Sequence, residues 1–181
     1  MDYIEPWKTV IGSVSLEIDV DRLLAEVLSN PLATERDSSV NDMCHPEHTP
    51  YFHELREQVI TPLVRQYLKD NWDIDAQHIN TCSWMSYGSE NPGIEPHYHS
   101  HSHFTTILYL TDTPGDLHLH DPRGPACRGY PTLLREKMFA TQRIKPRVGD
   151  LHIFPCFVMH HVPAYPGEFR MGIVTDYAIT E

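Results

Sequence analysis

Long apolar runs are missing from this chain of 181 residues. No stretch approaches the roughly 20 consecutive apolar residues that span a bilayer, so no membrane role is expected. The opening stretch, MDYIEPWKTVIGS, places acids early and holds no apolar core, unlike a secretory signal. Cysteine is scarce. Cys44, Cys82, Cys127 and Cys156 stand far apart and form no C-x-x-C pair, so reduced thiols in a cytoplasmic setting are expected. Cys82 and Cys156 fall in strand-like runs and read as small core residues. Positive charge is also short. Lys plus Arg number 14 against 25 Asp plus Glu, a formal net charge of −11. A surface of that sign repels phosphate backbones and anionic lipid, so nucleic acid is not an expected partner. The basic residues between Arg123 and Arg147 read as a solvated loop. Repeats and low-complexity linkers are absent too, so residues 1–181 are expected to form one domain.

Two kinds of pattern are present. In DVDRLLAEVLSNPL, Leu23, Leu24 and Val27 share a helical face, Asp19 or Asp21 can cap it, and Pro31 stops it. Residues 32–50 are polar and turn-rich, a loop. Helical spacing returns at Phe52, Leu55, Val59, Leu63, Val64 and Leu68, with Pro62 expected to kink or split that helix. Residues 7–18 read as a strand pair or an extended arm. Near residue 78 the character changes to short strands bounded by Pro and Gly: HINTCSWMSYG, HFTTILYLTD, DLHLHD, FATQRIKP, GDLHIFP and FRMGIVTDYAI. Helices first and strands after give an α+β chain, mainly β. About 1–77 would be helical support and about 78–181 a sandwich or barrel.

Histidine is abundant, 13 in all, and PHYHSHSHF carries four of them at alternate positions: His97, His99, His101 and His103. On an extended chain alternate residues face one way, so two histidines at i and i+2 can converge on one ion. A metal site then needs a third ligand brought back by the fold. His160 and His161 supply a candidate, and Arg170 follows to open the last strand. His118 and His120 alternate with Leu117 and Leu119, so their leucines face the core and the histidines face solvent. His161 faces away from His160, and His152 belongs to the outer face or to a polar inner one.

The order PHYHSHSHFTTILYL, HDPRG and KPRVGDLHIFPCFVMHHV…FRMGIVTDY resembles the iron(II)- and 2-oxoglutarate-dependent oxygenases, in particular a small bacterial and phage subfamily. The resemblance covers roughly residues 80–178. It implies a double-stranded β-helix, a jelly-roll, cupin-like barrel with the N-terminal helices packed on it. It also implies Fe(II) and 2-oxoglutarate as cofactors, with ascorbate as a reductant. The reaction implied is hydroxylation of a C–H bond with release of succinate and CO₂, on a small-molecule or a peptide or protein substrate.

Residue by residue, His97 matches the first metal ligand and His160 the distal histidine, two positions before Val162. Arg170 matches the arginine that pairs with the far carboxylate of 2-oxoglutarate, a role suited to a planar fork. Tyr109 and Tyr87 match cofactor-pocket tyrosines of the prolyl hydroxylase branch. His101, His103 and Arg123 fall on the substrate side, with a turn fixed by Pro122 as the plainer reading of Asp121-Pro122-Arg123. The usual ligand motif is His-x-Asp, and here position 99 is His. Either His99 is the third ligand, or a carboxylate from Glu95, Asp121 or Asp176 takes that place. Two other readings stay open: a cupin-like metalloenzyme, a three-histidine dioxygenase or an isomerase, that ignores 2-oxoglutarate, and a non-catalytic metal- or ligand-binding barrel.

Overall fold

The computed structural model describes residues 7–30, 43–88, 93–112, 115–165 and 170–180. Helix α1 (Val20–Ser29) starts where Asp19 accepts a 2.9 Å hydrogen bond from the Arg22 N–H. That cap satisfies one of the donors a helix start leaves open. Leu23 and Val27, one helical turn apart, are its buried residues. The stop expected at Pro31 lies outside the described residues. So does most of the loop at 32–50, where a short strand β2 (Met43–Cys44) and a 3₁₀ turn (Pro46–His48) are seen.

The next helical stretch is α2 (Pro50–Leu55), a wide π turn (Arg56–Ile60) and α3 (Thr61–Trp72) in unbroken succession. Pro62 has no N–H to give, and its ring crowds the preceding turn. The wide turn just upstream absorbs that mismatch, so of the kink or split expected at Pro62 the split does not occur.

The strands form two antiparallel sheets. The larger runs β1 (Gly12–Ser15), β8 (Asp150–Pro155), β5 (Phe104–Tyr109), β10 (Arg170–Thr180), β3 (His78–Gly88), β2. The smaller runs β4 (Ile94–His97), β9 (His160–Val162), β6 (Leu117–Leu119), β7 (Gln142–Ile144). This is the double-stranded β-helix arrangement of two facing antiparallel sheets. Between the sheets lie Ile107, Tyr109, Leu117, Leu119, Phe154 and Val162. The opposite face of the larger sheet packs Leu108, Leu151, Ile173 and Tyr177 on the helices through Leu23, Phe52, Val64 and Leu68. The central strands are therefore covered on both faces, and β5 is buried from Thr105 to Tyr109.

Gly149 ties the β1 end to this frame. Its N–H donates to the Tyr109 carbonyl (2.9 Å) and its carbonyl accepts from the Leu16 N–H (2.8 Å). Its φ of +83° suits glycine, and an added Cβ would stand 2.2 Å from the Leu16 oxygen. A helix that sequence periodicity does not announce, α4 (Thr132–Met138), carries Leu133 and Leu134 exposed, so no apolar stripe marks it. Cys82 also departs from expectation. It is exposed, whereas Cys156 is buried as expected. Cys82 stands opposite Asp176 in the register of β3 and β10. Among the described residues no helix is long and apolar enough to cross a membrane.

Phe52 is fully buried between α2 and the larger sheet. Phe52→Ala should lower unfolding free energy by about 3–5 kcal/mol in a urea titration, the usual cost of emptying such a position. A change below about 1 kcal/mol would mean the helical layer is not part of the cooperative core.

Candidate active site

The smaller sheet sets the first two histidines opposite each other. His97 ends β4, His160 begins β9, and the register pairs them directly across an irregularity in β4. His99 lies two residues beyond His97, where the chain leaves β4 and passes over β10. The three rings cluster, with centroids 4.3 Å (His97–His160), 4.9 Å (His99–His160) and 5.3 Å (His97–His99) apart. One ring nitrogen from each lies within 4.8 Å of the others.

Hydrogen bonding decides which nitrogen is free. His97 Nδ1 is 2.8 Å from the Glu95 carbonyl, His160 Nδ1 is 3.0 Å from the Val158 carbonyl, and His99 Nδ1 is 2.6 Å from Asp176 Oδ1. A carbonyl or carboxylate only accepts, so each Nδ1 carries a proton and donates, and in the neutral ring Nε2 is the nitrogen available to a metal. Metal-binding histidines are typically held by such a bond on the far nitrogen. A second group, His99, Cys156 and Asp176, also brings ligand atoms within 4.8 Å. It competes poorly. His99 Nδ1 and Asp176 already bond each other, and burial pushes the Cys156 thiol up to about 12, far from the thiolate a metal needs.

The carboxylates considered as third ligands are thus placed. Glu95 offers its backbone carbonyl to His97. Asp121 is held by Arg123, whose Nε lies 2.9 Å away. Asp176 stands behind His99.

The histidines open onto a cavity of about 650 Å³ walled by Trp84, Ile107, Leu117 and Val174, with Arg170 also lining it. Arg170 is buried, and its guanidinium carbon sits 5.4 Å from the centre of the Tyr109 ring. Neither Arg170 Nε nor Tyr109 Oη has a hydrogen-bond partner among the described residues. Burial raises the Tyr109 hydroxyl to about 12, outweighing the nearby guanidinium, so it remains a donor. A buried Arg170 Nε–H without an acceptor is a costly arrangement unless an anion completes it, and a carboxylate fits the guanidinium and the Tyr109 hydroxyl beside it. Gly172, between Arg170 and Val174 on the same face of β10, leaves room beside them. Gly115 and Tyr165 crowd Arg170 from the other side. A Cβ on Gly115 would meet the Tyr165 ring at 2.7 Å and Arg170 Cδ at 3.3 Å. Sequence patterns give no sign of Gly115 or Tyr165, nor of Trp84, whose ring lies 5.5 Å from His99.

Other candidates lie elsewhere. His103 lines a neighbouring cavity of about 630 Å³ that shares Tyr98 and His99 with the first. Its Nδ1 accepts from the Ile179 N–H at 2.9 Å. His101 is an exposed turn residue with φ 70°. Arg123 is engaged by Asp121 and the Met138 carbonyl, stacks on Phe139 (4.6 Å) and lines a different cavity. Tyr87 stands opposite Met171 in the β3–β10 register, and its side chain lies outside the described residues. His152 takes the inner face, buried 2.8 Å from Ser13 Oγ and edge-on to Tyr109. His161 turns away from the triad toward His118 and His120, and its Nδ1 is 2.7 Å from His120 Nε2.

The family model described as "Putative 2OG-Fe(II) oxygenase" matches residues 82–176, more than half of the chain and all three clustered histidines. The chain belongs to the 2OG-Fe(II) oxygenases. Its family is one of enzymes that use Fe(II) and 2-oxoglutarate, and the three-histidine cluster could hold the metal. The solved structures agree in fold. A viral collagen prolyl hydroxylase from Paramecium Bursaria Chlorella virus-1, in a 2-oxoglutarate complex, is 14% identical with TM-score 0.61, over 94% of this chain and 96% of that one. A Pseudomonas putida prolyl-4-hydroxylase is 12% identical with TM-score 0.58, over 96% and 94%. SnoN, a non-heme alpha-ketoglutarate-dependent epimerase from nogalamycin biosynthesis, is 16% identical with TM-score 0.65, over 94% and 79%. The oxygenase spans only 56% of a Burkholderia pseudomallei oxidoreductase of the 2OG-Fe(II) oxygenase family. No curated protein matches the sequence.

Burial lowers His160 from 6.5 to about 4 and moves His97 in the same direction. The unfolded chain takes up protons that the folded chain refuses, so metal-free protein loses stability as pH falls from about 6.5 toward 4. His160 alone accounts for on the order of 3 kcal/mol. Urea midpoints of the metal-free protein should drop steeply over that window and less so in His160→Leu.

Proposed function

We propose that His97, His99 and His160 hold Fe(II) through Nε2, and that Arg170 with Tyr109 holds the far carboxylate of 2-oxoglutarate. The observation that carries this reading is the set of three Nδ1 atoms committed to acceptors, which leaves three converging lone pairs. Three protein ligands leave coordination positions open for a ketoacid and O₂. When bound, iron and 2-oxoglutarate supply the oxidative chemistry, in which the ketoacid becomes succinate and CO₂ and oxygen reaches the substrate.

The chain supplies position and environment. The Arg170 guanidinium, buried and still lacking an acceptor for Nε, orients the ketoacid by charge-assisted hydrogen bonds. The Tyr109 hydroxyl, kept protonated by burial, donates beside it. Trp84, Ile107, Leu117 and Val174 give the cavity an apolar lining. Substrate approaches from the adjoining cavity, where Tyr98 and His103 stand at the surface. A C–H bond of a small molecule or of a peptide is the target of hydroxylation. The solved prolyl hydroxylases of nearly equal length support the peptide option. The net charge of −11 disfavours nucleic acid, and the free cysteines Cys82, Cys127 and Cys156 suit a reducing cytoplasm.

Two measurements test the reading. Anaerobic protein with Fe(II) should give a weak visible charge-transfer band on adding 2-oxoglutarate, and in air with ascorbate it should release succinate. Arg170→Ala should weaken 2-oxoglutarate binding by roughly 10- to 100-fold, and Tyr109→Phe by several-fold. Unchanged ketoacid affinity in Arg170→Ala would exclude Arg170 as the partner of the far carboxylate.

A further inference from the structure

His99 differs from its two neighbours in what stands behind it. His97 and His160 lean on backbone carbonyls, whereas His99 donates to a side-chain carboxylate, Asp176, at 2.6 Å. The pair is enclosed, with side chains 6% and 10% exposed. Asp176 is placed by the main sheet. It stands opposite Thr105 of β5 and Cys82 of β3, so strands on both sides fix its backbone. Its carboxylate shares the inner face of β10 with Arg170, Gly172 and Val174. The strand that reaches the ketoacid pocket at one end therefore reaches the metal histidines at the other.

A site of three neutral imidazoles is one unit more positive than one in which a carboxylate replaces an imidazole. We infer that Asp176 is a positioning residue that returns this negative charge to the centre one hydrogen bond away from the metal, holding His99 in the Nδ1–H tautomer and making its Nε2 a stronger donor. The inference rests on the triad proposed above. Charge and orientation arrive together, since an imidazole hydrogen-bonded to a carboxylate is both fixed in tautomer and more basic toward a metal. A carbonyl in that place, as behind His97 and His160, fixes the tautomer without bringing a formal charge. Asp176 touches no reacting atom in this arrangement and acts through His99.

Co(II) is the probe, followed by its visible absorption and by calorimetry without ketoacid or O₂. Wild type should bind one equivalent. Asp176→Asn should bind roughly 10- to 100-fold more weakly with a shifted visible band. Asp176→Glu, which keeps the charge, should recover part of the affinity. Equal affinity and an unchanged band in a folded Asp176→Asn protein would overturn the inference while leaving the triad standing. A wild type that binds no Co(II), or a His97→Ala protein that binds it as tightly as wild type, would overturn the triad itself and the inference with it. Should Asp176→Asn not fold, the metal-free wild type still decides. Nitrogen-15 spectra of its imidazoles should show His99 as the Nδ1–H tautomer with a strongly downfield proton, assigned by its loss in His99→Asn. An Nε2–H tautomer there overturns the inference.

Discussion

Everything at this site depends on one strand being buried on both faces. β10 lies between β5 and β3, and its residues alternate in duty. Met171, Ile173 and Tyr177 face the helices and join their core. Arg170, Gly172, Val174 and Asp176 face the other sheet and line the cavity. A slip of one residue would exchange the two sets, sending a guanidinium and a carboxylate into the helical core. The ladder to β5 and β3, continuous from Gly172 to Tyr177 on both sides, prevents it. Fold stability and site geometry are in this sense a single constraint.

The cavity combines two unlike environments. At one end three imidazoles converge, of which His97 and His160 are pushed toward the neutral form by burial, and at the other a buried cation stands beside a phenol. Aliphatic and aromatic side chains line the space between them. In such surroundings charge interactions are strong, so an anion reaching Arg170 would be held more tightly there than in water.

Much of this was legible in the chain. Alternation and turn residues marked β3, β5, β6, β8 and β10, and helical spacing marked α1 and the stretch from Pro50 to Trp72. His97, His99 and His160 stood out through spacing and resemblance, and the structure gathers them. What stayed hidden depends on register across distant strands. Nothing near Asp176 says that it meets His99, a partner 77 residues away. Cys82 sits in a strand-like run, yet it is exposed, in a strand flanked on its outer side only by the two-residue β2. Gly115 and Tyr165 matter only because two loops converge on Arg170. The surface helix Thr132–Met138 buries none of its residues, so it left no periodic trace.

The strands that carry the histidines are short. β9 has three residues, β4 has four, and β4 is the outer strand of its sheet with an irregular ladder. Few backbone bonds therefore hold this corner, while the deep strands beside it are braced on both flanks. Such edges open locally at far lower free energy than the whole domain unfolds. A metal held by His97, His99 and His160 would tie β4, the turn after it and β9 together, and metal loading would then oppose local opening at this edge.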